Sequence, residues 1–158
     1  MSIGIRGEIK GPAALGSYIK RIKRDLVTRG LIEDLAIEAK KRILQRTSEG
    51  RDFRGMSFKP YSQRWRKERS ARGRKTSRVD LEFEGRMLAA LETKTDQGSA
   101  TARVYFSNDS EAAKARYHSI TGAGKSGARR EFFALGEVDK RALEKMVEDH
   151  IKGVLAKK

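Results

Sequence analysis

Apolar residues recur every three to four positions along two long stretches of the chain, a period typical of amphipathic helices. The first stretch predicts helix over residues 12–46, with an end or a kink at Gly30, because glycine within a helix costs about 1 kcal/mol relative to alanine. The second predicts a final helix over residues 139–156, whose apolar stripe comprises Leu143, Met146, Val147, His150, Ile151 and Val154. Amphipathic helices are therefore expected at both ends of the chain.

The middle of the chain has the two-residue alternation that is typical of β-strands. Residues 99–106 alternate apolar and polar side chains, and residues 91–95 precede them. Between the two segments, Asp96, Gln97 and Gly98 supply the chemistry of a tight turn. The sequence therefore predicts an antiparallel hairpin here.

Three shorter elements complete the pattern. An extended segment at Leu81 is expected to lead into a helix of about two turns. Asn108 and Glu111 resemble a capping box that would start a helix over 109–119, and residues 131–135 predict another short strand. The expected fold class is α+β, with N-terminal amphipathic helices, a small antiparallel sheet, a long basic loop and a C-terminal helix.

Length and composition fit a single domain over residues 1–158, of which 37% are hydrophobic. No stretch approaches the roughly 20 apolar residues of a membrane helix, and the first residues lack the apolar run of a secretory signal, so we expect a soluble, cytosolic protein without membrane partners. The absence of cysteine excludes a disulfide framework, a thiolate metal site and a cysteine nucleophile.

Positive charge is concentrated in one part of the chain. The whole chain carries 36 Lys and Arg against 21 Asp and Glu, a net charge of +15, which makes a polyanionic or acidic partner the first to consider. Residues 51–80 hold eleven of the basic residues against Asp52, Glu68 and Asp80, so their net charge is 11 − 3 = +8. More than half of the net charge therefore lies in 30 residues.

The most basic run has little apolar side-chain area with which to fold, because Trp65 is its only large apolar residue. Residues 63–78 are therefore expected to form a mobile basic arm or a long exposed loop. It could be a solvated surface loop, or a segment that becomes ordered on a phosphate backbone or an acidic protein. The candidate interface residues are Arg64, Trp65, Arg66, Lys67, Arg69, Arg72, Arg74, Lys75 and Arg78.

Candidate catalytic and cofactor motifs are weak. Residues 121–127, TGAGKSG, resemble the end of a phosphate-binding loop, but that motif requires glycine at position 119, which is serine, and a preceding strand where the sequence predicts helix. A mobile Gly/Ser loop is the favoured interpretation. His118 and His150 have no second ligand at metal-binding spacing. Glu82 and Glu84 show no sign of the burial that an acid–base pair needs, so we expect a non-enzymatic protein without metal or cofactor.

Aromatic residues interleave with the basic ones and could stack single-stranded bases. Their spacing is irregular, and no known nucleic-acid-binding motif accompanies them. We therefore expect Phe53, Phe58 and Tyr61 to anchor their loop to the core, whereas Trp65 is left open.

Four short segments combine in a recognisable order. The first is a helix over 31–44 that leads to a turn containing Gly55, Phe58, Pro60 and Tyr61. The second is a basic linker that leads to Leu81, Gly85, Met87 and Leu88. The third is ARYHSITG at 115–122, and the fourth, before the last helix, comprises Arg129, Arg130, Glu131, Phe132 and Phe133. In order and spacing the segments resemble the phage virion morphogenesis (tail completion) family of tailed bacteriophages. The residues that match its motifs are Gly55, Phe58, Pro60, Gly85, Leu88, His118, Gly122, Arg130 and Phe132.

The resemblance implies a structural protein of the head–tail junction, located in the neck or tail of the virion and assembled in the bacterial cytoplasm. Its subunits would form a homo-oligomeric, hexameric ring that finishes the tail. The implied partners are the head–tail connector or adaptor and the tail tube or tail terminator protein, with packaged DNA as a further contact. Residues 63–78 would be loose in the free subunit and order on acidic partner surfaces. The competing hypothesis is a basic nucleic-acid-binding protein.

Overall fold

Helices and one antiparallel hairpin make up the part of the chain that the computed structural model describes, residues 26–96 and 98–156. In chain order the elements are α1 (Arg29–Ser48), α2 (Gln63–Ala71), α3 (Arg86–Ala89), β1 (Leu91–Asp96), β2 (Thr101–Phe106), α4 (Asp109–Arg116), a π-helical turn (Tyr117–Thr121) and α5 (Glu137–Ala156). The fold is α+β, as the sequence predicts.

Helix α1 begins at a side-chain cap. The hydroxyl of Thr28 accepts a hydrogen bond from the backbone N–H of Leu31 at 3.2 Å, so the helix starts just before Gly30, which lies in its first turn. The helix boundary expected at Gly30 lies two residues earlier, since Leu26 is helical, Val27 and Thr28 are not, and α1 starts at Arg29. The part of the expected helix at 12–25 lies outside the described residues. The buried side of α1 contacts both strands and α5.

The hairpin follows the expected pairing. Leu91 lies opposite Phe106 and Asp96 opposite Thr101 in an antiparallel register. The carboxylate of Asp96 accepts hydrogen bonds from the backbone N–H of Gly98 at 2.9 Å and from the hydroxyl of Ser99 at 2.9 Å. This Asp-centred turn fixes the register, and it places the fully buried Leu91 in the core.

Two further helix predictions are confirmed. The side chain of Asn108 accepts from the backbone N–H of Glu111 at 2.9 Å and caps α4. Helix α5 starts two residues before the expected position. Helix α3 has a single turn rather than two, and Gly85 precedes it in a left-handed conformation (φ 82°).

The core lies between α1, the hairpin and the irregular segments. Its buried members are Ile43, Phe58, Tyr61, Val79, Leu81, Met87, Leu91, Ala115 and Phe132. Phe58 and Tyr61 anchor their loop to the core as predicted, and Phe53 is half-buried. The loop that follows α1 is therefore held in place by aromatic side chains.

The prediction of a strand over residues 131–135 is wrong, since this segment pairs with no strand in the described residues. Its carbonyl groups bind a side chain instead. The guanidinium of Arg46 donates to the carbonyl of Phe132 at 3.1 Å and to that of Ala134 at 2.7 Å, and it also pairs with Asp139. Phe132 is completely buried, as it would be in a core strand. Residues 131–135 are nevertheless held by Arg46 from α1 and not by a neighbouring strand.

The prediction of a mobile arm or exposed loop over residues 63–78 is also wrong for residues 63–71. Residues Gln63–Ala71 form α2, and the hydroxyl of Ser62 caps it by accepting from the backbone N–H of Trp65 at 3.3 Å. Arg69 on this helix is 1% exposed. A basic run predicts solvated side chains, but Arg69 is buried and attaches the helix to the core.

No helix among the described residues is both long enough and apolar enough to cross a membrane.

Replacing Arg46 tests how the segment before α5 is held. Arg46→Met removes the donors to two carbonyls and leaves Asp139 buried without its partner, so we expect a loss of about 3 kcal/mol in the free energy of unfolding. Urea unfolding followed by circular dichroism measures it. Lys41→Met is the control, since Lys41 is exposed on the same helix and its removal should change stability by less than about 0.5 kcal/mol. Equal stabilities of the two variants would contradict the assignment.

Candidate binding cleft

A cleft of about 900 Å³ lies between α2, the segment after Val79 and the glycine-rich loop that follows the π-helical turn. It joins two motifs that are some 60 residues apart in the sequence: the basic run and the TGAGKSG loop. The lining residues are Tyr61, Ser62, Arg64, Trp65, Glu68, Arg69, Leu81, Phe83, His118, Ala123, Gly124, Lys125, Ser126 and Arg130.

One wall of the cleft is built on the buried guanidinium of Arg69. Its Nη2 donates to both carboxylate oxygens of Asp80, at 2.9 and 3.2 Å. Nε and Nη1 donate to the carbonyls of Lys75 and Glu82, at 3.0 and 2.8 Å. One side chain therefore ties α2 to the chain on both sides of Val79, and its charge is compensated where it is buried.

Tyr61 connects this network to the other wall. The guanidinium carbon of Arg69 lies 4.6 Å from the centre of the Tyr61 ring, and that of Arg130 lies 5.4 Å from it. The Tyr61 hydroxyl donates to Asp80 at 3.2 Å and accepts from the N–H of Leu81 at 3.3 Å. Burial, followed by the charge of Asp80, raises the pKa of this phenol, so it stays a neutral donor.

Arg130 joins segments that are far apart in the sequence. Its Nε and Nη2 donate to the carbonyls of Lys59 and Pro60, at 3.0 and 3.2 Å. Its backbone N–H donates to the carbonyl of His118 at 2.7 Å. Burial lowers the pKa of Arg130, although an arginine remains charged at neutral pH. Three motif segments of the family resemblance therefore meet at this residue.

The glycine-rich loop is closed by its own backbone. Ala123 and Ala128 exchange both backbone hydrogen bonds, at 3.0 and 3.2 Å. Gly122 has a φ of 91°, and a Cβ there would lie 2.3 Å from the carbonyl oxygen of Gly127, so only glycine fits. The loop follows α4 and the π-helical turn rather than a strand, which agrees with rejecting a phosphate-binding loop.

The expected interface residues divide into three groups. Arg69 is buried, and Arg64 and Trp65 line the cleft. The remaining members are exposed: Arg66, Lys67, Arg72, Arg74, Lys75 and Arg78. Among them, Arg72 pairs with Glu68 at 2.9 Å. Trp65, which the sequence left open, packs against Phe83 with the ring centres 4.9 Å apart.

The family-motif residues take structural positions. Phe58 and Phe132 are buried in the core, and Leu88 packs against it. Gly55 occupies an exposed turn with a φ of 84°, and Pro60 accepts from Arg130.

His118 is half-buried at the edge of the cleft. Its Nδ1 is buried without a hydrogen-bond partner in the described residues. Burial, followed by the charge of Arg130, lowers the pKa of His118 from its usual 6.5. Among the described residues there is no group of three or more histidine or acidic side chains that could hold a metal ion.

Sequence reasoning missed the segment that forms the apolar wall of the cleft. Leu81 has a φ of 57°, which is rare for leucine. On one side of it Asp80 binds Arg69 through its carboxylate, and on the other side the ring of Phe83 contacts Trp65. The only available signal was the alternation of acidic and apolar residues in VDLEFE at 79–84.

No protein-family model, no curated protein and no solved structure matches this chain.

Arg69→Met tests the buried wall of the cleft. It leaves the carboxylate of Asp80 without its cation and removes the donors to the Lys75 and Glu82 carbonyls, so we expect a loss of about 3–5 kcal/mol in the free energy of unfolding. Chemical denaturation measures it. Arg66→Met, on the exposed side of the same helix, is expected to stay within about 0.5 kcal/mol of the parent protein. A similar loss in both variants would contradict a stabilising role of the hydrogen bonds made by Arg69.

The lowered pKa of His118 predicts a pH dependence of stability. The folded chain binds this proton less tightly than the unfolded chain does, so stability is lost as the pH falls below about 6.5, towards the pKa of the folded state. Between about pH 7.5 and about pH 5.5, the parent protein should therefore lose stability more steeply than His118→Asn. Parallel curves would contradict the prediction. Titration of the His118 ring by nuclear magnetic resonance checks the direction of the shift independently.

Proposed function

We propose that this chain is a structural subunit of the head–tail junction of a tailed bacteriophage. In this role, copies of the chain assemble into a hexameric ring that finishes the tail and joins it to the head connector. The observation that carries the proposal is the meeting of motif segments at Arg130. This residue binds the carbonyls of Lys59 and Pro60 and that of His118, so three of the four segments that carry the family resemblance are joined at one side chain and its backbone.

The basic surface supports an assembly role. Arg66 and Lys67 are exposed on α2, and Arg74, Lys75 and Arg78 are exposed in the loop that follows. Because α2 is capped and attached by Arg69, Arg66 and Lys67 are displayed on a formed helix, and residues 63–71 need no disorder-to-order step. The surface suits acidic faces of the connector or of the tail tube or terminator protein, with packaged DNA as a further contact.

Peptide mass spectrometry on gradient-purified virions tests the proposal, with separated heads and tails analysed alongside. We expect a few copies per virion, enriched with the tail or neck fraction, because a junction ring is built once per particle. Detection in the infected-cell lysate without any signal from particles would contradict a place in the finished junction.

The second candidate, a nucleic-acid-binding protein, is favoured by the same exposed cations. If phosphate contacts dominate, affinity for duplex DNA should fall with salt, with a log–log slope of about −0.9 per neutralised phosphate. Fluorescence anisotropy of a labelled duplex between about 50 and about 200 mM salt measures this slope. Ring contacts through apolar helix faces should persist over the same range, so sedimentation in both buffers separates the two functions.

A further inference from the structure

The cleft next to α2 is strongly cationic. Arg64 and Lys125 are exposed at its rim and Arg130 lies buried in a wall, whereas the charge of the buried Arg69 is compensated by Asp80. Glu68 is the carboxylate among its lining residues, and it already pairs with Arg72. A ligand for this cleft should therefore carry negative charge.

The cleft is also apolar inside. Trp65 is 37% exposed, and it forms one apolar surface together with Phe83 and Leu81. A half-exposed tryptophan packed on a second aromatic ring is a favourable place for an aliphatic or aromatic side chain to anchor. A small inorganic anion would leave this surface uncovered.

The aromatic rings are poorly placed for stacking nucleic-acid bases. Tyr61 is buried, and the guanidinium groups of Arg69 and Arg130 already contact its ring. The ring of Phe83 contacts Trp65, and the guanidinium of Arg72 lies 5.3 Å from its centre. A single strand stacks successive bases on several open rings, whereas Trp65 is the exposed aromatic ring among those that line the cleft, so the cleft favours a peptide over a single strand of DNA or RNA.

Arg130 has one guanidinium nitrogen outside its hydrogen bonds to the backbone. Arg130 donates through Nε and Nη2 to backbone carbonyls, whereas its Nη1 has no acceptor within the described residues. A carboxylate is the natural partner for such a guanidinium N–H.

We propose that the cleft binds an acidic peptide segment of a partner protein, with one apolar side chain against Trp65 and Phe83 and flanking carboxylates on Arg64 and Lys125. The inference goes beyond the proposed function by naming a site and a ligand chemistry. It rests on that function only for the origin of the segment, which would be an acidic part of the connector or a tail protein.

The single tryptophan of the chain makes the test direct, because Trp65 reports occupancy by its own fluorescence. The probes are fluorescein-labelled peptides of Glu and Asp with one central Leu, Phe or Ala. Binding is measured by anisotropy, and with unlabelled peptides by the emission of Trp65. We expect the Leu and Phe peptides to bind and to shift the Trp65 emission, and the Ala peptide to bind about tenfold more weakly.

Charge-reversed variants locate the site. Arg64→Glu combined with Lys125→Glu should weaken binding of the Leu and Phe peptides by about tenfold or more, because both rim cations become repulsive. Lys94→Glu combined with Arg103→Glu is the matched surface control with the same change in net charge, since both residues are exposed on the hairpin and do not line the cleft, and it should change affinity by less than about threefold.

Several results would overturn the proposal: no binding of any peptide, equal binding of the Leu and Ala peptides, or equal weakening of binding by the charge reversals at Arg64 and Lys125 and by the control. Tighter binding of oligothymidylate of about 15 nucleotides, with the same Trp65 shift, would assign the cleft to single-stranded nucleic acid instead. These outcomes are independent of the virion analysis. Absence of the protein from particles would overturn the proposed function and leave the peptide measurement unchanged.

Discussion

The segments without regular secondary structure depend on one interaction, the hydrogen bonds that buried guanidinium groups donate to backbone carbonyls. Arg46 holds the segment before α5, Arg69 attaches α2 to the chain around Val79, and Arg130 fixes the turn at Pro60. Each guanidinium binds two carbonyls of segments that have no strand or helix partner to satisfy them. Because a buried carbonyl without a donor is costly, these arginines let long non-helical segments lie against the core.

The same interaction shapes the cleft. Arg69 donates to two carbonyls and to Asp80, Arg130 donates to two carbonyls, and both contact Tyr61, so they form the walls. Arg64 and Lys125 keep their charges at the rim. Removing a wall residue should therefore unfold its surroundings, and removing a rim residue should change binding alone. This difference allows stability and recognition to be measured separately in one chain.

Local patterns predicted the elements whose hydrogen bonds are local. The hairpin turn at Asp96 and the cap at Asn108 each depend on residues within a few positions of one another. The stripe of α5 was likewise visible, because helical periodicity is a local property. The predictions for residues 63–71 and 131–135 were wrong because the conformations of these segments depend on partners that lie elsewhere in the chain. For residues 131–135 that partner is Arg46, 86 residues before Phe132.

The amino-acid sequence by itself determined the α+β class, the hairpin, the cap of α4 at Asn108 and the concentration of positive charge in residues 51–80. Only the tertiary structure decided which arginines are buried, and that the glycine-rich loop and α2 face one another across a cleft. The physical reason is that a guanidinium is equally compatible with water and with a set of carbonyl and carboxylate acceptors. Which of the two it meets depends on contacts between residues far apart in the chain, and no local pattern records them.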